Sequence, residues 1–108
     1  MELRDLRTFV AVAQQRSFSR AAEALHVSQP ALSEQVRKLE DELGATLFER
    51  TSRGVVLTDA GEALLPHART VLAQADIATE AVRMVSHGVA GTLTLGFIDS
   101  AARLKLRC

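Results

Sequence analysis

A single cysteine, Cys108, stands at the last of 108 positions, so neither an internal disulfide nor a cysteine-rich zinc site can form, and a reducing compartment fits. No apolar run approaches the roughly 20 residues that span a bilayer. The opening MELRDLRTFV lacks the apolar stretch that follows the basic start of a secretory signal. A cytoplasmic location is therefore expected, with no membrane partner. Excess charge is missing too. The 13 basic residues balance 13 acidic ones, which weighs against the simple nonspecific nucleic-acid binding that a basic surplus produces. There is no Gly-rich phosphate loop, no paired-carboxylate pattern and no nucleophile motif, so an enzyme is not expected. Three scattered histidines and one cysteine offer no metal-ligand spacing, and neither metal nor cofactor is expected.

What is present suits one modest globular domain: 47% hydrophobic and 24% charged residues allow a core and a soluble surface. The local charge distribution says more than the sum. Arg16, Arg20, Arg37 and Lys38 outnumber Glu23 and Glu34, and Arg50 and Arg53 face no acid in their own stretch. Between the two basic stretches sits an acidic knot, Glu40, Asp41 and Glu42.

Periodicity divides the chain. Leu3, Leu6, Phe9, Val10 and Ala13 recur at helical spacing, predicting an amphipathic helix that ends near Gln15. Ser17 or Ser19 offers an N-cap for a short second helix with Ala21, Ala22 and Leu25, where the small alanines let another helix cross closely. Ser28 is the N-cap of a third helix, about Gln29 to Leu43. Pro30 falls in its first turn, where a missing N–H costs nothing, and Gly44 stops it. Its apolar stripe is Leu32, Val36, Leu39 and Leu43. The opposite face carries Pro30, Glu34, Arg37, Lys38 and Asp41, with Ser33 at the edge. Leu47 to Leu57, broken by the turn signal Thr51 to Gly54, predicts a small hairpin with Arg50 at its base and Arg53 at its tip.

From Thr58 helical periodicity returns. Thr58 caps, Asp59 and Glu62 suit the positive end of the helix dipole, and Pro66 predicts a bend. The stripe Leu64, Ala68, Val71, Ala75, Ala78, Val82 and Val85 alternates spacings of four and three, the pattern of a dimer seam. Packing of that stripe on the chain's own first helix is the alternative. Gly88 and Gly91 are expected to end this helix, and the alternation of Leu93, Leu95 and Phe97 predicts a strand.

Three short helices, the second and third joined by a tight turn, and then a hairpin make a winged helix-turn-helix. The expected fold class is mainly α, with a β-hairpin wing and a long linker helix. A helix fits the major groove, and its first residues meet base edges. Here those are Ser28, Gln29, Pro30, Ala31 and Ser33. Gln29 is chemically suited to adenine, Ser33 to a base or phosphate, and the free amides near Ser28 to a phosphate. Arg37 and Lys38 suit backbone phosphates, as do Arg50 and Arg53 in the wing.

The segments FSRAAEALHVSQPALSEQVRKLEDELGATLFER and LTDAG resemble the N-terminal domain of LysR-type transcriptional regulators, over roughly residues 2 to 98. The resemblance implies DNA binding at 1–58 (helix-turn-helix about 18–37), a linker and dimerisation helix at 59–87, and an effector-domain remnant at 88–108. It further implies promoter DNA as partner, a homodimer through the linker helix, and tetramers. It does not choose between peroxide-sensing and aromatic-degradation members. Two positions depart from the family's habit. Glu34 stands where arginine is common, and a carboxylate there suits a cytosine amine while repelling phosphate. His26 stands where a turn glycine is common. The effector domain that relatives carry is missing after GTLTLGFIDSA, so no small-molecule effector site is expected in this chain. The competing function is that of an interaction fragment, pairing with longer relatives through the long helix without regulating by itself.

Overall fold

The computed structural model describes residues 1–87 of the chain. Its elements run α1 (Leu3–Gln15), α2 (Phe18–Leu25), α3 (Gln29–Leu43), β1 (Phe48–Thr51), β2 (Gly54–Leu57) and α4 (Asp59–Ser86). The chain divides into two units, Met1–Ala73 and Gln74–Cys108. The expected helix stop at Gly88 and Gly91, and the strand through Leu93, Leu95 and Phe97, lie outside the described residues.

Local chemistry sets the helix ends. The Ser17 hydroxyl accepts from the Arg20 amide at 3.1 Å and opens α2; the Ser28 hydroxyl accepts from the Ala31 amide at 3.3 Å and opens α3. Three helices close in the left-handed conformation, at Arg16 (φ 55), His26 (φ 59) and Gly44 (φ 70). Gly44 adopts it without penalty, whereas His26 bears the small strain of a side chain in that region. Nothing in the periodicity pointed to Arg16.

The first unit is built on Leu6, Phe9, Val12, Ala21, Ala22, Leu32, Val36, Leu39, Leu47 and Val55, all buried. Leaving water contributes about 1.5–3 kcal/mol for each of the larger ones. Ala21 and Ala22 are in the core, as their size predicts. Leu43, expected to continue the α3 stripe, is 41% exposed, because it follows the last buried position, Leu39, at the end of the helix. Leu3 is exposed to the same degree.

β1 and β2 pair antiparallel, with Phe48 opposite Leu57 and Arg50 opposite Val55. Arg50 is thus a mid-strand residue instead of a base residue, while Arg53 is in the turn as expected. The hairpin is tied to α1, since the Val55 amide donates to the Arg16 carbonyl at 3.1 Å. A Cβ on Gly54 would lie 2.9 Å from that same oxygen, and its φ of +103 also favours glycine.

The start of α4 is fastened to the hairpin's approach. Thr58 donates its amide to the Leu47 carbonyl at 3.0 Å, and its hydroxyl accepts from the Gly61 amide at 3.1 Å. A Cβ at Gly61 would collide with the Leu47 carbonyl oxygen and come within 2.8 Å of Leu57. The LTDAG motif therefore encodes a close backbone approach. Ala68 is buried in the first unit's core and Leu64 is half-buried against it. That part of the expected seam packs within its own chain, which removes Ala68 from any dimer contact. The first unit accordingly runs on past Thr58, to Ala73. α4 continues through Pro66 as one helix. Among the described residues no helix is long and apolar enough to cross a membrane.

Candidate nucleic-acid interface

The turn His26–Ser28 sets the start of α3 beside α2. Ser28, Gln29, Pro30 and Ala31 are all exposed there. Because Ser28 satisfies only one amide of the first turn, other N–H groups at this helix end point outward with the positive end of the dipole. Gln29 is fully outside the core, and its Oε1 accepts from the Ser19 hydroxyl of α2 at 2.9 Å. Ser33 is half-buried and lines a shallow hollow with Phe18, Val36, Arg37, Glu40, Thr46, Phe48 and Arg50. It offers less of itself than Gln29 does.

The cations expected to hold phosphate fall into two groups. Arg37 is engaged by its own helix, to Glu34 at 2.5 Å and to Asp41 at 2.8 Å. The hydrogen bond from Arg37 holds the Glu34 carboxyl below its ordinary pKa, and the same bond raises that of the Arg37 guanidinium. Two carboxylates on one guanidinium leave this patch of α3 without surplus positive charge, so Arg37 is a weaker phosphate candidate than its type suggests. Among the described residues no carboxylate lies within ion-pair distance of Lys38, Arg50 or Arg53. Arg50 is nonetheless committed, since its guanidinium lies 4.6 Å over the Phe18 ring. That ring meets Phe48 edge-on at 6.0 Å, and Phe48 in turn meets Phe9 at 5.3 Å, so Arg50 closes an aromatic row running into the core. Arg53 at the hairpin tip is exposed, its amide bound to Thr51 Oγ1 at 3.1 Å. Of these four candidates, Lys38 and Arg53 are therefore the ones with no charged or aromatic partner among the described residues.

The acidic knot does not act as one patch. The Glu40 carboxylate accepts from the Leu47 amide at 2.8 Å, Asp41 pairs with Arg37, and Glu42 binds the Met1 amine. The amine's pKa is raised chiefly by that hydrogen bond.

A bridge that spacing arguments missed orients α3 from behind. Buried Thr8 of α1 donates to Gln35 Oε1 at 2.8 Å, and Gln35 Nε2 donates to Asp5 Oδ1 at 3.2 Å. The Asp5 carboxyl is held below its ordinary value, first by the Glu2 amide at 2.9 Å and then by Gln35. The available signal was Asp5 and Thr8 three apart on one face of α1. His67 and His87 are exposed, and the described residues hold no cluster of metal-ligating side chains.

In the second unit, Ala75 is half-buried, whereas Ala78 and Val82 and Val85 are exposed, the two valines at 69% and 72%. Ile77, outside the expected stripe, is 57% exposed. Val71, at the end of the first unit, is 43% exposed.

Residues 3–62 match the pattern of the family described as bacterial regulatory helix-turn-helix protein, lysR family. The chain is 52% identical over 102 residues to the HTH-type transcriptional regulator BudR of Klebsiella aerogenes, covering 94% of this chain and 71% of that protein. It is 50% identical over 100 residues to the hydrogen peroxide-inducible genes activator of Dickeya chrysanthemi, covering 93% of this chain and 33% of that one. Its structure is similar to the protein in the crystal structure of the BenM_DBD/catB site 1 DNA complex. The TM-score is 0.77 at 42% identity, over 80% of this chain and 97% of that one.

Proposed function

The chain belongs to the LysR family of bacterial regulatory helix-turn-helix proteins, and from that membership we propose that it binds double-stranded promoter DNA sequence-specifically. The observation that carries this reading is the exposed, capped start of α3, where Gln29 and the first-turn amides face outward. In this reading the start of α3 enters the major groove. Gln29 reads a base edge, Pro30 and Ala31 pack on it, and Ser33 gives a secondary contact. The Ser28 region and Lys38 hold phosphates, and Arg53 reaches the backbone or minor groove from the wing tip. Glu34 and Arg37 act as a pair that DNA has to reopen before either contacts it. Arg50 supports the wing through Phe18.

The similarity to a protein solved on DNA supports this reading. Titration in a gel-mobility assay tests it. Arg53→Ala weakens binding to many sequences and flattens the salt dependence, because one phosphate contact fewer releases fewer counterions. Gln29→Ala lowers discrimination at one base pair by about 1–3 kcal/mol. If neither substitution moves the titration, the assigned surface is wrong.

The exposed valines of α4 support a homodimer through Val71, Ala78, Val82 and Val85, with Ala75 at its edge. Tetramers and a cytoplasmic regulatory role belong to the longer protein this family builds. Several relatives are about three times the length the chain covers, as the 33% share above shows. The same exposed residues favour a second reading, in which the chain pairs with a longer relative and withdraws it from DNA. Co-expression followed by pull-down separates the two: strong pairing with weak DNA binding selects the second.

A further inference from the structure

Two serine caps fix the starts of α2 and α3 before any DNA arrives. Ser17 holds the first turn of α2, and Ser28 holds the first turn of α3. Between those fixed turns, the Ser19 hydroxyl donates to Gln29 Oε1 at 2.9 Å, although both side chains are exposed. Among the described residues no other side chain hydrogen-bonds Gln29.

We propose that Ser19 is a specificity-determining positioning residue, fixing which end of the Gln29 carboxamide faces a base. The inference rests on the reading of α3's start as the base-contacting end. A carboxamide has an accepting oxygen and a donating nitrogen. One that turns freely presents either end, and so it distinguishes poorly between a base that accepts and a base that donates. Ser19 draws the oxygen back toward α2. The Nε2 group, with both its hydrogens, is left for the groove. Its partners are the major-groove acceptors: purine N7, guanine O6 and thymine O4. A base whose edge presents only an amine, cytosine, is disfavoured at that position. Adenine keeps the contact through N7. Its bidentate pairing requires the Gln29 oxygen to accept from the adenine amine with the lone pair that Ser19 leaves unused.

The test uses the whole chain and duplexes it selects from random-sequence DNA. The base pair at which Gln29→Ala loses discrimination is then varied through all four possibilities, at one salt concentration. Ser19→Ala is expected to narrow the ratio of best to worst base by about fivefold, the worth of one exposed hydrogen bond. Its affinity for unselected DNA and its unfolding temperature stay unchanged. Ser19→Thr, which keeps the hydroxyl, restores the ratio. With Gln29→Ala already in place, Ser19→Ala adds nothing. The proposal is overturned if Ser19→Ala weakens all four duplexes alike, which marks a phosphate contact. It is equally overturned if the ratio holds under Ser19→Ala while Gln29→Ala collapses it. A Gln29→Ala chain that keeps every base preference overturns the reading beneath, and this proposal with it.

Discussion

The two parts of the α4 stripe obey one sequence pattern and meet opposite fates. Ala68, in the first unit, is 1% exposed, whereas Val85, in the second, is 72% exposed. Spacings of four and three put them on the same stripe, yet only the first has core from its own chain to cover it. A heptad pattern therefore states that a helix face will be covered, without stating by what. Core supply decides, and in the first unit the buried cluster to which Ala68 belongs provides it.

The comparison can be broken most forcefully from the covered side. Leu39→Ala removes a side chain that is 1% exposed and should lower stability by about 2–5 kcal/mol, read as a fall in the urea midpoint. A smaller loss would mean that the first unit repacks, and that its core is less committed than its burial implies. Gly61→Ala forces a methyl against the Leu47 carbonyl and should cost about 1–3 kcal/mol by the same measurement. The exposed side responds differently. Replacing Val82 and Val85 together by serine should leave the urea midpoint of a dilute sample within about 0.5 kcal/mol of its starting value. Self-association, followed by sedimentation equilibrium, should weaken by about tenfold, or 1.4 kcal/mol. A lost midpoint with intact association would reverse the assignment of the two halves.

The smallest effect concerns Asp5, whose pKa is lowered in the folded chain from its ordinary 3.8. A depressed carboxyl stabilises the fold above its unfolded pKa, and that contribution is lost as pH falls below about 4 through the folded value. Asp5→Asn should therefore lose less stability near pH 3 than at pH 7. Equal losses at both would show that the charge on Asp5 plays no part in holding Gln35.

What was legible in the sequence was whatever depends on neighbours along the chain. Ser28, Pro30 and Gly44 bound α3 by local capping physics, and the period of Leu32, Val36 and Leu39 chose its inner face. Thr58 announced the start of α4 for the same reason. Features that join distant segments were not legible. Thr8 to Gln35 spans 27 residues, and neither residue type is unusual on a helix surface. Arg50 looked like a free wing cation because its ring partner, Phe18, belongs to another element. Arg37's pairing was legible by contrast: its acids at i−3 and i+4 stand on the same helix face, and two carboxylates on one guanidinium reduce its availability to phosphate. The acidic knot came apart into three unrelated bonds, Glu40 to the Leu47 amide, Asp41 to Arg37 on its own helix and Glu42 to the Met1 amine.

The bond from Val55 to the Arg16 carbonyl has a consequence for the duplex as well. It couples the hairpin to the C-terminal end of α1, and α1 is bridged to α3 through Gln35, so under the proposed function the wing tip and the base-reading helix are tied to one framework. A calliper that does not open leaves the adjusting to what it grips. Under the proposed function, DNA that spans both is expected to compress or roll to fit, with a preference for base steps that yield easily even where no side chain reaches them. Exchanging a flexible step for a stiff one between the two contacts should then lower affinity with every protein contact retained.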